Sequence, residues 1–222
     1  MTASFIRRTG AETIGSALLS ATVIGSGILA SALSSGNDGI ALLGNTLATA
    51  AILYVLVATL GPVSGGHFNP AVTMVALLRG ETRPGAAIAY VAAQIAGCVA
   101  GAILAHAMFD LPLLQTGGTD RAGVSRILAE AAATFALVLA VLGGARHRPG
   151  DLPAIVALVI AAGYWWTSST SFANPAITLA RSLSDTFAGI RPQDTPGFIA
   201  GQVAGALAAW LIGGWLFGKK AE

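Results

Sequence analysis

The chain has 222 residues, 55% of them apolar and only 10% charged, with a mean hydropathy of +0.74. Soluble domains carry about 25% charged residues, so an ordinary soluble enzyme or regulatory domain is excluded. A net charge of +2 is too small for a nucleic-acid-binding surface, and one cysteine, Cys98, cannot form an intrachain disulfide or a thiolate metal site.

Apolar runs near the roughly 18 to 25 residues that cross a bilayer fall at 11–32, 41–60, 85–108, 124–144, 152–170 and 197–217. Residues 1–10 lack the pattern of a cleaved signal peptide, so the first run is expected to stay in place. Polar or turn-rich links separate the runs at 34–38, 79–84, 110–123, 145–151 and 182–196. The 28 glycines, with abundant alanine and serine, suit close helix packing in lipid.

Two stretches among these are of another kind. Gly66-His67-Phe68-Asn69-Pro70-Ala71-Val72-Thr73 and Ser171-Phe172-Ala173-Asn174-Pro175-Ala176-Ile177-Thr178 each run from a loop into Asn-Pro-Ala. Asparagine is a favoured N-cap, and proline is tolerated in the first turn, where its missing N–H has no partner to lose. Each stretch therefore starts a helix, one running to about Leu78 and the other to about Leu183. At 1.5 Å per residue, ten residues span roughly 15 Å. Two such half-helices end to end match the roughly 30 Å of bilayer hydrocarbon. Interrupted apolar segments in matching positions of two halves point to a pathway at the membrane midplane.

The halves repeat, over about 10–109 and 124–218 of a single domain spanning 1–222. Glu12 opens the first span and Glu130 lies early in the fourth; Gln94-Ile95-Ala96-Gly97 in the third answers Gln202-Val203-Ala204-Gly205 in the sixth. Three spans per half is an odd number, so the halves insert in opposite directions and the two Asn-Pro-Ala starts face each other. The predicted fold is all-α and membrane-embedded: six transmembrane helices plus two re-entrant half-helices in an inverted 3+3 repeat. Arg7, Arg8, Arg79, Arg83, Arg146, Arg148, Lys219 and Lys220 share one side, against Arg121, Arg126, Arg181 and Arg191. Eight against four places both termini in the cytoplasm by the positive-inside rule.

Paired Asn-Pro-Ala boxes, each with a threonine two residues after the alanine (Thr73 and Thr178), resemble the aquaporin and aquaglyceroporin family over nearly the whole chain. The resemblance implies a homotetramer with one pore per subunit that passively conducts water or small uncharged solutes, without a cofactor. It also implies that Glu12 and Glu130 accept hydrogen bonds from the re-entrant loops. In most members an arginine directly follows the second box and forms the outer filter; here that residue is Ile177. By offset from the asparagines, the other filter positions fall at Thr49, at Ala162 or Gly163, and at Ser171. Such a filter, small or apolar throughout, is expected to be wide. The run from Thr170 to Gly189 is similar to a bacterial subgroup often associated with arsenic resistance, which implies a bacterial plasma-membrane location and makes arsenite, As(OH)3, a candidate permeant.

Each half-helix N-terminus carries about half a positive charge. Facing one another they repel cations and interrupt proton conduction, while Asn69 and Asn174 each present an N–H to a passing solute. For Arg181, four residues after Ile177, two placements are open: over the outer mouth in place of the absent filter charge, or in a surface pair with Asp185. His67 lies on the cytoplasmic approach, with structural hydrogen bonding or pH gating as its roles; His106 is expected to be solvated or at a subunit contact. No set of residues has metal-ligand or nucleophile–base spacing. The competing functions are a water-selective channel, a coupled transporter and a closed-pore structural protein. Conduction of small anions is a further one, opposed by desolvation.

Overall fold

A computed structural model describes residues 3–218. Among them are eight α-helices and no strand: α1 Phe5–Leu33, α2 Asp38–Ser64, α3 Pro70–Leu78, α4 Pro84–Met108, α5 Val124–His147, α6 Leu152–Trp166, α7 Pro175–Arg181 and α8 Thr195–Phe217. Six are long and apolar enough to cross a membrane; α6 reaches that length only with the 3₁₀ turn Pro149–Asp151 in front of it. The other two, α3 and α7, are the half-helices. Lys219 and Lys220, counted above on the side of the termini, lie outside the described residues.

Local chemistry sets the ends. Asn37 caps α2 by accepting from Ile40 N at 3.1 Å, and α2 stops at Gly65, whose φ of 98° only glycine adopts freely. The run expected to extend to residue 170 leaves the helix at Trp166. Beyond it, Thr167 returns its hydroxyl to Gly163 O at 2.7 Å, and Thr170 and Ser171 have φ of 61° and 51°. Such left-handed residues cannot continue a helix. Helix α7 is also shorter than its sequence suggests, seven residues ending at Arg181, or about 10 Å.

The two halves use the same contacts. Helix α1 packs on α4 as α5 packs on α8, and α2 and α6 join one half to the other. At Gly97 a Cβ would strike the Thr13 carbonyl, and at Gly205 the Ala131 carbonyl. Both pairs thus meet backbone to backbone, the approach that small residues permit in lipid. This inverted arrangement leaves a central space into which α3 and α7 enter from opposite ends.

Candidate functional site

The two half-helices meet at their asparagines. Asn69 accepts from Ala71 N through Oδ1 at 2.9 Å, and Asn174 accepts from Ala176 N at 3.0 Å. These caps fix which amide atom is oxygen, so each nitrogen points away from its own helix. Asn69 Nδ2 donates to Ala173 O at 2.7 Å, and Asn174 Nδ2 donates to Phe68 O at 2.8 Å. Each amide thus reaches the residue just before the other asparagine. The second N–H of each amide has no protein acceptor among the described residues, and both side chains border one cavity of about 210 Å³. Pro70 and Pro175 open their helices; Ala71 and Ala176 are buried against the core and supply the capped N–H groups.

The loops that deliver the asparagines are held by the two acids. Glu12 is fully buried and accepts from His67 N at 3.0 Å, Phe68 N at 2.7 Å, Ser64 Oγ at 2.6 Å and Gln94 Nε2 at 2.8 Å. Glu130, equally buried, accepts from Phe172 N and Ala173 N, both at 2.9 Å, and from Gln202 Nε2 at 2.6 Å. Both carboxylates are acceptors of backbone and amide N–H groups. Gln94 and Gln202 also donate to Thr73 and Thr178, at 2.9 and 2.8 Å. The threonines thereby tie each half-helix to the third span of its own half. Both glutamines stand out in the sequence as a repeat, and their role becomes visible only here.

Because the half-helices start at the centre, their far ends mark the ends of the cavity: Ala76 and Glu81 at one, Arg181 at the other. Thr49, Ser171 and Ile177 border it. Ala162 does not. It faces outward and is exposed, while Ile160 and Tyr164, one turn apart on the opposite face of α6, line the lumen. Gly163 is buried against Ser171. Tyr164, which the offset from Asn174 missed, shares a 3.2 Å hydrogen bond with Thr49.

The Arg181 end of the cavity is not lined only by small side chains. Arg181 is 3% exposed and borders the cavity, its guanidinium carbon 3.3 Å from the centroid of Phe172. Its Nε–H donates to Ala188 O. The alternative pairing with Asp185 does not form: α7 has ended, so the i,i+4 geometry is lost, and Asp185 Oδ1 instead accepts from Gly118 N at 3.0 Å. His106, expected at a wet or subunit surface, is fully buried. Its Nδ1 meets Leu113 O and its Nε2 meets Ser184 Oγ, both at 2.9 Å, because the 109–123 connection folds back over α4. His67 makes a 3.0 Å contact from Nδ1 to Thr73 Oγ1 and packs edge-on against Tyr90, beside the cavity end opposite Arg181.

Residues 1–165, which contain the first Asn-Pro-Ala box and Glu12, match the major intrinsic protein family. The chain belongs to this family. It is 51% identical over 210 residues to aquaglyceroporin AqpS of Rhizobium meliloti (strain 1021), covering 95% of this chain and 90% of the relative. It is 29% identical over 255 residues to probable aquaporin AqpM of Archaeoglobus fulgidus, covering both chains in full. The fold is that of the X-ray structure of the aquaglyceroporin from Plasmodium falciparum, with a TM-score of 0.69 at 20% identity over 97% of this chain and 96% of that one. Members of the major intrinsic protein family are channels, and this chain is a multi-pass membrane channel for water or small neutral solutes, not an enzyme.

Proposed function

We propose that the chain is a passive channel for small uncharged solutes: metalloid acids such as arsenite, glycerol-like polyols, and water as a lesser permeant. The observation that carries this reading is the cavity itself. It runs past both asparagines, and hydrocarbon from residues such as Leu53, Val57, Leu137, Val156 and Ile160 makes up most of its wall. A neutral polyhydroxy compound rests its carbon or metalloid face on such a wall and spends its oxygens on few donors. A small ion loses its hydration shell there and gains too little in return. The donors are the free N–H groups of Asn69 and Asn174 at the centre and of Arg181 at the outer end.

Thr49, Tyr164, Ser171 and Ile177 form the outer constriction in this reading, with Arg181 supplying the charge that Ile177 lacks. Both termini are cytoplasmic, in a bacterial plasma membrane, and the active assembly is a homotetramer. Stopped-flow light scattering on proteoliposomes tests the function. Arsenite and glycerol equilibrate faster than through empty liposomes, without a gradient of any ion, and water gains less. Flux that needs an ion gradient makes the protein a transporter. Equal rates with and without protein make it a closed-pore structural protein, and acceleration of water alone makes it a water-selective channel.

A further inference from the structure

Arg181 is not the only cation on Phe172. The guanidinium carbon of Arg121 lies 5.0 Å from the same ring centroid. Arg121 belongs to the connection between α4 and α5, which links the two halves, and its side chain does not border the cavity. Both arginines bind one three-residue run. Arg121 donates from Nε to Gly189 O at 2.8 Å and from Nη2 to Phe187 O at 3.4 Å, while Arg181 takes the carbonyl between them, Ala188 O. The loop that carries this run closes on Arg181 itself, whose carbonyl accepts from Ser184 N and Ile190 N, each at 3.3 Å.

Neither guanidinium has a carboxylate within ion-pair distance among the described residues. The nearby acids are committed elsewhere: Asp120 to Arg191 and Arg126, and Asp194 to Arg191 and to the backbone N–H of Arg121. Burial, with the charge of Arg126 adding to it, pushes the Arg121 guanidinium down to about 10, so it remains a cation at neutral pH. What places the Arg181 guanidinium is therefore a carbonyl, an aromatic face and a like charge over the same ring. Two of these three are set by Arg121. The first half has no such clamp: the position seven residues after Asn69 is Ala76, where the second half has Arg181.

We propose that Arg121 is a positioning residue for the pore: through Phe172 and the carbonyls of residues 187–189 it fixes the Arg181 guanidinium at the outer end of the lumen. Solute preference then depends on a residue that solute does not touch. This rests on the reading of Arg181 as the outer filter charge. Without Arg121, the Phe187 and Gly189 carbonyls lose their donors and the run relaxes. Arg181 is then free to leave the face of Phe172. Lysine keeps the charge and cannot reach two carbonyls at once, so it separates fork geometry from charge.

The test uses proteoliposomes of the full chain carrying Arg181→Ala, Arg121→Gln, Arg121→Lys, or both Arg121→Gln and Arg181→Ala. The readouts are the ratio of glycerol to water permeability, proton leak by an internal pH dye, and thermal stability of the purified protein. Arg181→Ala is expected to shift the ratio about threefold or more, and Arg121→Gln to shift it in the same direction. The double variant is expected to match Arg181→Ala alone, as coupled residues do. If Arg181→Ala shifts the ratio and Arg121→Gln lowers only stability, or if the two effects add, Arg121 is structural and the inference is overturned. If Arg181→Ala changes nothing, the filter reading itself fails, and the inference with it. Should Arg121→Gln fail to insert, Arg121→Lys makes the same comparison: a shifted ratio supports the fork, and an unchanged ratio overturns it.

Discussion

Replacing Glu130 by glutamine changes almost nothing in shape and much in hydrogen bonding. The carboxylate accepts from Phe172 N, Ala173 N and Gln202 Nε2, at 2.9, 2.9 and 2.6 Å. A glutamine offers one oxygen, so at least one of these donors is left facing an NH2. Hydrogen bonds to a charged acceptor contribute about 1.5–3 kcal/mol each, so the two from the loop backbone, Phe172 N and Ala173 N, hold it by roughly 3–6 kcal/mol. Opposing them are three non-glycine residues in left-handed conformation, Thr170, Ser171 and Ala173, with φ of 61°, 51° and 47°. At about 1–3 kcal/mol each, their combined strain is roughly 3–9 kcal/mol. The two quantities nearly balance, and a loss of about 3 kcal/mol from Glu130→Gln releases the loop that presents Asn174. We expect glycerol flux in proteoliposomes to fall at least tenfold at equal protein. The melting temperature of the purified variant drops by about 6–12 °C on the usual scaling for a chain of this length. A variant that conducts like the wild type and melts within about 1 °C of it refutes the claim that this carboxylate holds the loop.

Substitutions on α6 separate the two helix faces. Tyr164→Ala removes a ring from the lumen and is expected to speed the larger polyols severalfold, whereas Ala162→Leu leaves stopped-flow rates within about twofold of wild type. Gly205→Val drives a side chain into the Ala131 carbonyl, and overpacking at a backbone contact costs about 1–3 kcal/mol or more. The expected result is a loss of monodisperse protein on size exclusion. His106→Ala strands the carbonyl of Leu113 and takes one of two partners from the Ser184 hydroxyl, which keeps its 2.9 Å bond to Thr186 Oγ1. At about 1–3 kcal/mol per stranded group, it should lower the melting temperature while leaving the protein in the membrane.

The six spans, the two half-helices and the facing asparagines were legible because each rests on a local signal: an apolar run of bilayer length, or an asparagine followed by proline. The repeat added the parity that turns one half over. Glu12 and Glu130 were legible as a matched pair, although only the family resemblance said what they bind. Ala162 misled because counting back from Asn174 carries no information on helical phase across the turn at 167–170. On α6 a two-residue error moves a side chain to the opposite face. Arg181, Asp185 and His106 were unreadable for a different reason. Their neighbours come from the 109–123 and 182–190 connections, whose folding depends on contacts between the halves that no local pattern encodes.

The crossed bonds between Asn69 and Ala173 O and between Asn174 and Phe68 O have the form of an isologous interface, in which residue i meets j and j meets i. Within one polypeptide, that is the bonding of two identical protomers about a dyad. A half-length ancestor able to insert in both orientations would already have satisfied it by pairing with an inverted copy of itself. Joined in one chain the two copies are separately mutable, and one mouth carries Arg181 where the other carries Ala76.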